Sequence, residues 1–172
     1  MQPTTRRNFL LLGASATALG VGALATLGYL RGHAPEVTGL QILSPHQFRT
    51  FAQLANVQIP RGGPFPQGAA DFDLPRLFDQ FLRDQPEKEQ RDVGIALNLL
   101  ELGPVLFEQN AQTFSHLPPT QQLTHWTNWG LASQDFRRET FWAFNRFIGM
   151  AFYDNPQVWP HLGYAGPSFG QK

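Results

Sequence analysis

The sequence predicts an all-α fold: an irregular bundle of about five helices with long Pro/Gly-rich loops, preceded by an N-terminal apolar helix. Three observations predict it. Apolar residues recur at threes and fours in separate stretches, the period of one helix face. Breakers such as Ile59-Pro60, Asp84-Gln85-Pro86 and Asn155-Pro156 punctuate those stretches, because proline lacks a backbone N–H and disfavours helix at the residue before it. No alternating β pattern longer than a few residues lies between them, and no internal repeat is visible.

The first element is an address. Thr4-Thr5-Arg6-Arg7-Asn8-Phe9-Leu10 precedes an uncharged run from Asn8 to Leu30 that is rich in Gly and Ala. Arg6 and Arg7, followed by Phe9 and Leu10 and a mild apolar segment, form the twin-arginine export pattern. The plainer alternative is a membrane anchor with its arginines kept inside. Ala23-Leu24-Ala25 fits a small-x-small cleavage rule with a mature start at Thr26. A retained run would be about 35 Å long and could span a bilayer. Residues 1–31 are therefore read as a signal segment, cleaved or retained. Residues 32–43 are read as a polar linker, and 44–172 as a helical domain.

Within the domain, Ser44-Pro45 opens a helix, Ser as N-cap and Pro at the first helical position. Phe48, Phe51, Leu54 and Ala55 form its inner face. Arg61 to Ala70 is Gly- and Pro-rich and must be irregular. Asp71 or Asp73 caps the next helix, with Leu74, Leu77, Phe78, Phe81 and Leu82 expected to face inward. Glu87-Lys88-Glu89 starts a third, its acids suited to the positive end of the helix dipole. Val93, Ala96, Leu97, Leu99 and Leu100 fill its inner side, and Gly103-Pro104 is expected to interrupt it. Thr120 is the expected cap of a fourth, with Leu123, Trp126 and Thr127 buried. Ser133 or Gln134 opens a fifth and markedly aromatic helix. Its inner stripe is Phe136, Thr140, Phe144, Phe147, Ile148 and Ala151. Phe141, Trp142, Phe152 and Tyr153 lie off that stripe, so this helix is expected to be covered on more than one side. A partner protein could supply part of that cover.

Charge and composition narrow the function. Basic and acidic residues balance at 13 each, so no strong field favours nucleic acid. Arg6, Arg7 and Arg31 precede the first acid, Glu36, which leaves a mildly acidic body. The chain has no cysteine, which excludes disulfides, zinc-thiolate and iron–sulfur sites, covalent haem and thiol nucleophiles. The histidines are His33, His46, His116, His125 and His161, and none is paired at metal-ligand spacing. His161 could ligate haem but reads more simply as a loop or interface residue. There is no nucleophile elbow, no phosphate loop and no dinucleotide fingerprint. No catalytic, cofactor-binding or metal-binding residue is therefore assigned.

What remains is an aromatic surface, a Pro/Gly-rich loop and an export tag. The twin-arginine route carries folded proteins. A chain without an evident cofactor site has little need of it alone, so the tag suits a second, cofactor-loaded protein carried out in complex. The candidate partner-interface residues are Trp142, Tyr153, Trp159 and Tyr164, with Gly63, Pro64, Phe65 and Pro66 of the loop.

Four matches in order carry a family resemblance. They are the start with Arg6, Arg7 and Phe9; Ile59-Pro60 followed by Gly68-Ala69-Ala70-Asp71; Phe114-Ser115-His116-Leu117-Pro118 with Gln121-Gln122; and Phe152-Tyr153-Asp154-Asn155-Pro156 through Trp159, Gly163-Tyr164 and Gly166-Pro167. In these the chain resembles the gluconate 2-dehydrogenase subunit 3 family, the small (gamma) subunits of FAD-dependent sugar and polyol dehydrogenase complexes. The resemblance implies a chaperone-like helical subunit that wraps a larger flavoprotein of the glucose-methanol-choline type and carries its export signal. It implies FAD on the partner rather than on this chain, and a cytochrome c subunit in some such complexes. The implied location is periplasmic, at the cytoplasmic membrane, reached through the twin-arginine machinery. Without the resemblance, a membrane-anchored helical scaffold of another complex fits the same residues.

Overall fold

Ser44 begins the first helix with two reciprocal bonds. The Gln47 amide donates to Ser44 Oγ at 3.3 Å, and the Ser44 amide donates to Gln47 Oε1 at 2.9 Å. The helix they start, α1, spans Pro45–Gln58 with Pro45 at its first position. The computed structural model describes Gly32 and residues 34–166. The export segment, including Arg6, Arg7, Phe9 and Leu10, lies outside the described residues. Among the described residues the fold is all-helical. The helices after α1 are α2 (Leu74–Arg83), α3 (Glu87–Glu108), α4 (Pro119–Gly130) and α5 (Asp135–Tyr153). Two short 3-10 turns lie between helices, at Ala69–Phe72 and Phe114–His116, a third follows α5 at Trp159–Leu162, and no strand is present among the described residues.

Helix α1 is the hub. It packs against α2, α3 and α4 and against the first two 3-10 turns. Phe51, fully buried, stacks on Phe78 of α2 at 4.0 Å between ring centroids and meets Phe144 of α5 edge-on at 5.8 Å. Trp126 of α4 lies nearly parallel to Phe144 at 6.2 Å. One run of rings thus ties four helices together. Each such pair contributes about 0.5–1.5 kcal/mol beyond the area it buries.

Two buried carboxylates organise the polar interior. Asp79 accepts the amides of Gln41, Ile42 and Leu43 at 2.8–3.0 Å, which pins the end of the 32–43 linker to α2. Glu101 accepts from Thr50 Oγ1 at 2.9 Å and from the amide and hydroxyl of Ser115, joining α1, α3 and the turn before α4. Buried acids are stable only when their oxygens are satisfied in this way.

Several expectations are corrected. Helix α3 runs unbroken through Gly103-Pro104. Proline removes one ladder bond there, but Leu100, Gly103 and Pro104 are all buried, and packing outweighs that loss. It ends at Gln109, which turns left-handed at φ 53°. Thr120 is not a cap: Pro118 holds the cap position and Pro119, with its fixed φ, begins α4. Asp73 occupies the cap position of α2 but makes no capping bond; its carboxylate faces Arg76 instead. The buried row of α2 is Leu74, Phe78 and Leu82, so Leu77 and Phe81 on the adjoining row stand exposed. On α4 the buried residues are Gln122, His125, Trp126 and Trp129, while Leu123 and Thr127 face solvent. Phe136 is exposed at the start of α5. These stripes were wider than the neighbouring helices can cover.

Candidate partner interface

Trp142 and Tyr153 lie three turns apart on α5, about 16 Å along its axis, and point from nearly the same side. Ala143, Arg146 and Met150 share that outer side, and all are exposed. Trp142 is 67 % exposed and Met150 63 %. The expectation that α5 is covered on more than one side holds for two neighbours. Phe141 packs on Trp126 of α4 at 5.0 Å, and Phe147 on Phe78 of α2 at 4.6 Å. The outer side is left open.

At the Tyr153 end the stripe meets the two other stretches picked from the sequence. Phe65, at the tip of the Pro/Gly loop, packs edge-on against Phe152, Tyr153 and His161 at 5.3–6.5 Å. The loop is closed by Gly62 N–H on the Pro66 carbonyl at 3.3 Å and anchored by Ala69 N–H on the Ile59 carbonyl at 2.9 Å. Gly63, Pro64 and Pro66 form its exposed rim around the inserted ring. At its base, the Gly68 amide and then Arg61 hold the Asp71 carboxyl below its ordinary range. Trp159 is the most integrated of the candidates. Its indole N–H donates to the Tyr153 carbonyl at 2.9 Å and its ring meets Tyr164 edge-on at 5.4 Å. Gly166 closes against that ring, where a Cβ would fall 2.9 Å from Trp159 Cζ3. Tyr164 and Leu162 stand half-exposed beside it.

On its other flank the stripe borders a groove of about 950 Å³ between α2, the start of α3 and α5. Phe78, Phe81, Val93, Phe147 and Met150 are among its apolar lining, with Glu89, Arg146 and Asp154 among its charged residues. Phe81 and Met150 belong to this surface but were not selected from sequence. The signal was present: Trp142, Arg146, Met150 and Tyr153 recur at fours and threes, a second helical stripe beside the one that was read.

A separate cluster lies where α3 and α4 end and α5 begins. His125, fully buried, places Nδ1 2.8 Å from Glu108 Oε1 and receives the Trp129 indole N–H on Nε2 at 2.9 Å. With Nε2 accepting, the ring is neutral and its proton sits on Nδ1, close to Glu108 but outside hydrogen-bond geometry. Burial pushes the His125 pKa down, and the Glu108 carboxylate opposes that shift only in part. Gly103 lets the imidazole approach α3: a Cβ there would sit 2.5 Å from Nε2.

Among the described residues no three His, Asp or Glu side chains gather as a metal site would require. No helix among them is long and apolar enough to cross a membrane. No family model, curated protein or solved structure matches the chain. The geometry described is an open apolar surface: exposed rings on a helix, an adjoining groove, and a loop and a C-terminal turn fastened to one end.

Proposed function

We propose that the chain is the non-catalytic small subunit of a membrane-associated, FAD-dependent sugar, polyol or gluconate dehydrogenase complex. In this role it supports folding of the flavoprotein subunit and its export by the twin-arginine pathway. FAD and substrate belong to that partner, which works in the periplasm at the cytoplasmic membrane, with a cytochrome c subunit as a further companion in some complexes. The observation that carries the reading is the open stripe of α5. It joins Trp142, Met150 and Tyr153 to the Phe65 loop and to the Trp159–Tyr164 turn. Monomeric proteins rarely leave so continuous an apolar surface in water. Aromatic side chains of this kind anchor interfaces of roughly 1,600 Å² or more. The family resemblance and the paired arginines are what support this choice of partner and route.

Affinity purification of the full chain from native membranes tests the association. A larger flavin-bearing chain should travel with it. Replacing both Arg6 and Arg7 by Lys should strand that flavoprotein in the cytoplasm. Normal export of the partner from such cells refutes the carrier role.

A further inference from the structure

Arg137 makes no ion pair within 4 Å among the described residues, and only the more distant Glu108 carboxylate offsets its charge. Its side chain is 8 % exposed, and its guanidinium lies over the rings of Phe107 at 4.6 Å and Trp129 at 5.4 Å. Its Nε is buried with no acceptor, and the one hydrogen bond of the group is a long contact of 3.5 Å from Nη1 to Gln134 Oε1. The nearest acids are engaged elsewhere. Glu108 faces His125 and accepts from Asn128 at 3.2 Å, and Asp135 pairs with Arg138. The contrast with Arg83 is one of degree: its Asp84 partner raises the Arg83 pKa, whereas burial lowers that of Arg137 and the Glu108 carboxylate opposes that only in part.

The guanidinium also sits at the positive end of a helix. Gln134 is the N-cap of α5, yet no side chain caps that terminus. The Arg137 and Arg138 amides reach the Gln134 carbonyl, but the Asp135 and Phe136 amides of this 19-residue helix have no internal acceptor. Phe107 beside the guanidinium and Phe136 against Trp129 are both exposed. Two neighbouring carboxylates disfavour a doubly charged ligand, so a monoanion fits better than a phosphate. A rim of exposed apolar side chains suits an acid carried on a protein surface. Arginine under such a rim is a common interface anchor.

We infer that the N-terminal end of α5, with the Arg137 guanidinium, receives a single carboxylate group, an Asp or Glu side chain of the docking protein. The protein source of the acid rests on the partner reading above; the carboxylate site does not. This second contact lies at the opposite end of α5 from Tyr153. A planar guanidinium grips a carboxylate through two parallel N–H bonds, which a lysine cannot reproduce.

The site is tested first without a partner. Sodium acetate is titrated into the ¹⁵N-labelled full chain while the Arg137 Nε–H and the Asp135 and Phe136 amides are followed by NMR. The expected result is a saturable shift at all three in the wild type; the two amide shifts are weakened in Arg137→Lys and lost in Arg137→Met, with unchanged circular dichroism. Absent shifts, or amide shifts that persist in Arg137→Met, overturn the site. Equal response to sodium chloride or inorganic phosphate overturns the carboxylate assignment. Should Arg137→Met not fold, Arg137→Lys decides: undiminished acetate response there overturns the two-bond grip. Co-purification with the Arg137→Lys chain then tests the protein source. A flavoprotein held as firmly as by the wild type overturns it while the partner reading stands. No flavoprotein with the wild-type chain sinks the partner reading, while acetate still tests the site.

Discussion

On its inner side α5 buries Phe144, Ile148 and Phe152; on its outer side Trp142, Met150 and Tyr153 stand in solvent. Residue type does not separate the two sides, since both are aromatic and aliphatic. What separates them is opposing structure. The inner Phe144 meets rings of α1, α2 and α4, whereas the outer Trp142 and Tyr153 meet rings of α5 itself, Phe65 and the C-terminal turn. A helix with two apolar sides in a chain this small can bury one of them. The other is available for binding, so changes on the two sides should separate stability from association.

The largest expected effect lies inside. Phe51→Ala removes a fully buried ring that stacks on Phe78 and touches Phe144 and Phe147. It should lower the unfolding free energy by about 3–5 kcal/mol, measured by urea denaturation. A domain holds only about 5–15 kcal/mol in total, so this variant approaches unfolding. A loss near zero would mean that the inner side is as loosely packed as the outer one.

Next is Gly103→Ala, which probes the close approach of α3 and α4. The new methyl would collide with the His125 ring at 2.5–2.7 Å, and the Trp129 indole is near. One of the helices must shift, at a cost of about 1–3 kcal/mol, measurable as a lower unfolding temperature. Alanine favours helix over glycine by up to about 1 kcal/mol, so a net stabilisation would show that the imidazole moves aside freely.

A smaller effect comes from the proton that His125 refuses. In the unfolded chain the ring titrates near its ordinary value of about 6.5. In the folded chain burial lowers that value. The unfolded state therefore binds more protons at pH values between the two. Stability is fully present above about pH 6.5 and declines as the pH falls toward the lowered folded pKa. Urea midpoints at a series of pH values should show this decline, and His125→Gln should flatten it. An equal decline in the variant assigns the pH dependence to other groups.

Much of this was legible in the sequence because local chemistry decided it. Ser44, Pro45 and Gln47 start α1 through their own bonds, and Asn155-Pro156 follows the end of α5. All five helices follow from periodicity for the same reason. Choosing between two adjacent rows of one helix was harder, as Phe81 and Leu123 show, because the answer depends on where a neighbour sits. Gly103-Pro104 was read as a break because a tertiary contact with His125 cannot be seen from α3 alone. In the sequence Arg137 and Arg138 look alike, two adjacent cations between Asp135 and Glu139. Only the fold reveals that Arg138 takes Asp135 and leaves Arg137 between two rings. The meeting of Phe65 with Tyr153 joins residues far apart in the chain, so sequence could propose both but not their contact.

The smallest expected effect on stability is the most informative about the outer side. Trp142 stands 67 % exposed and touches one ring, Phe141, at 5.5 Å. Trp142→Ala should change the unfolding free energy by no more than about 0.5 kcal/mol, as surface substitutions usually do. The same change should cut co-purification of the flavin-bearing chain sharply, because a truncated anchor at an interface costs about 2 kcal/mol or more of binding, a loss of roughly thirtyfold. Met150→Ala on the same stripe should act in the same direction and less strongly. A Trp142→Ala chain that loses as much stability as the Phe51 variant would erase the distinction between the two sides of α5. One that stays stable and retains its partner in full would move the interface away from this stripe.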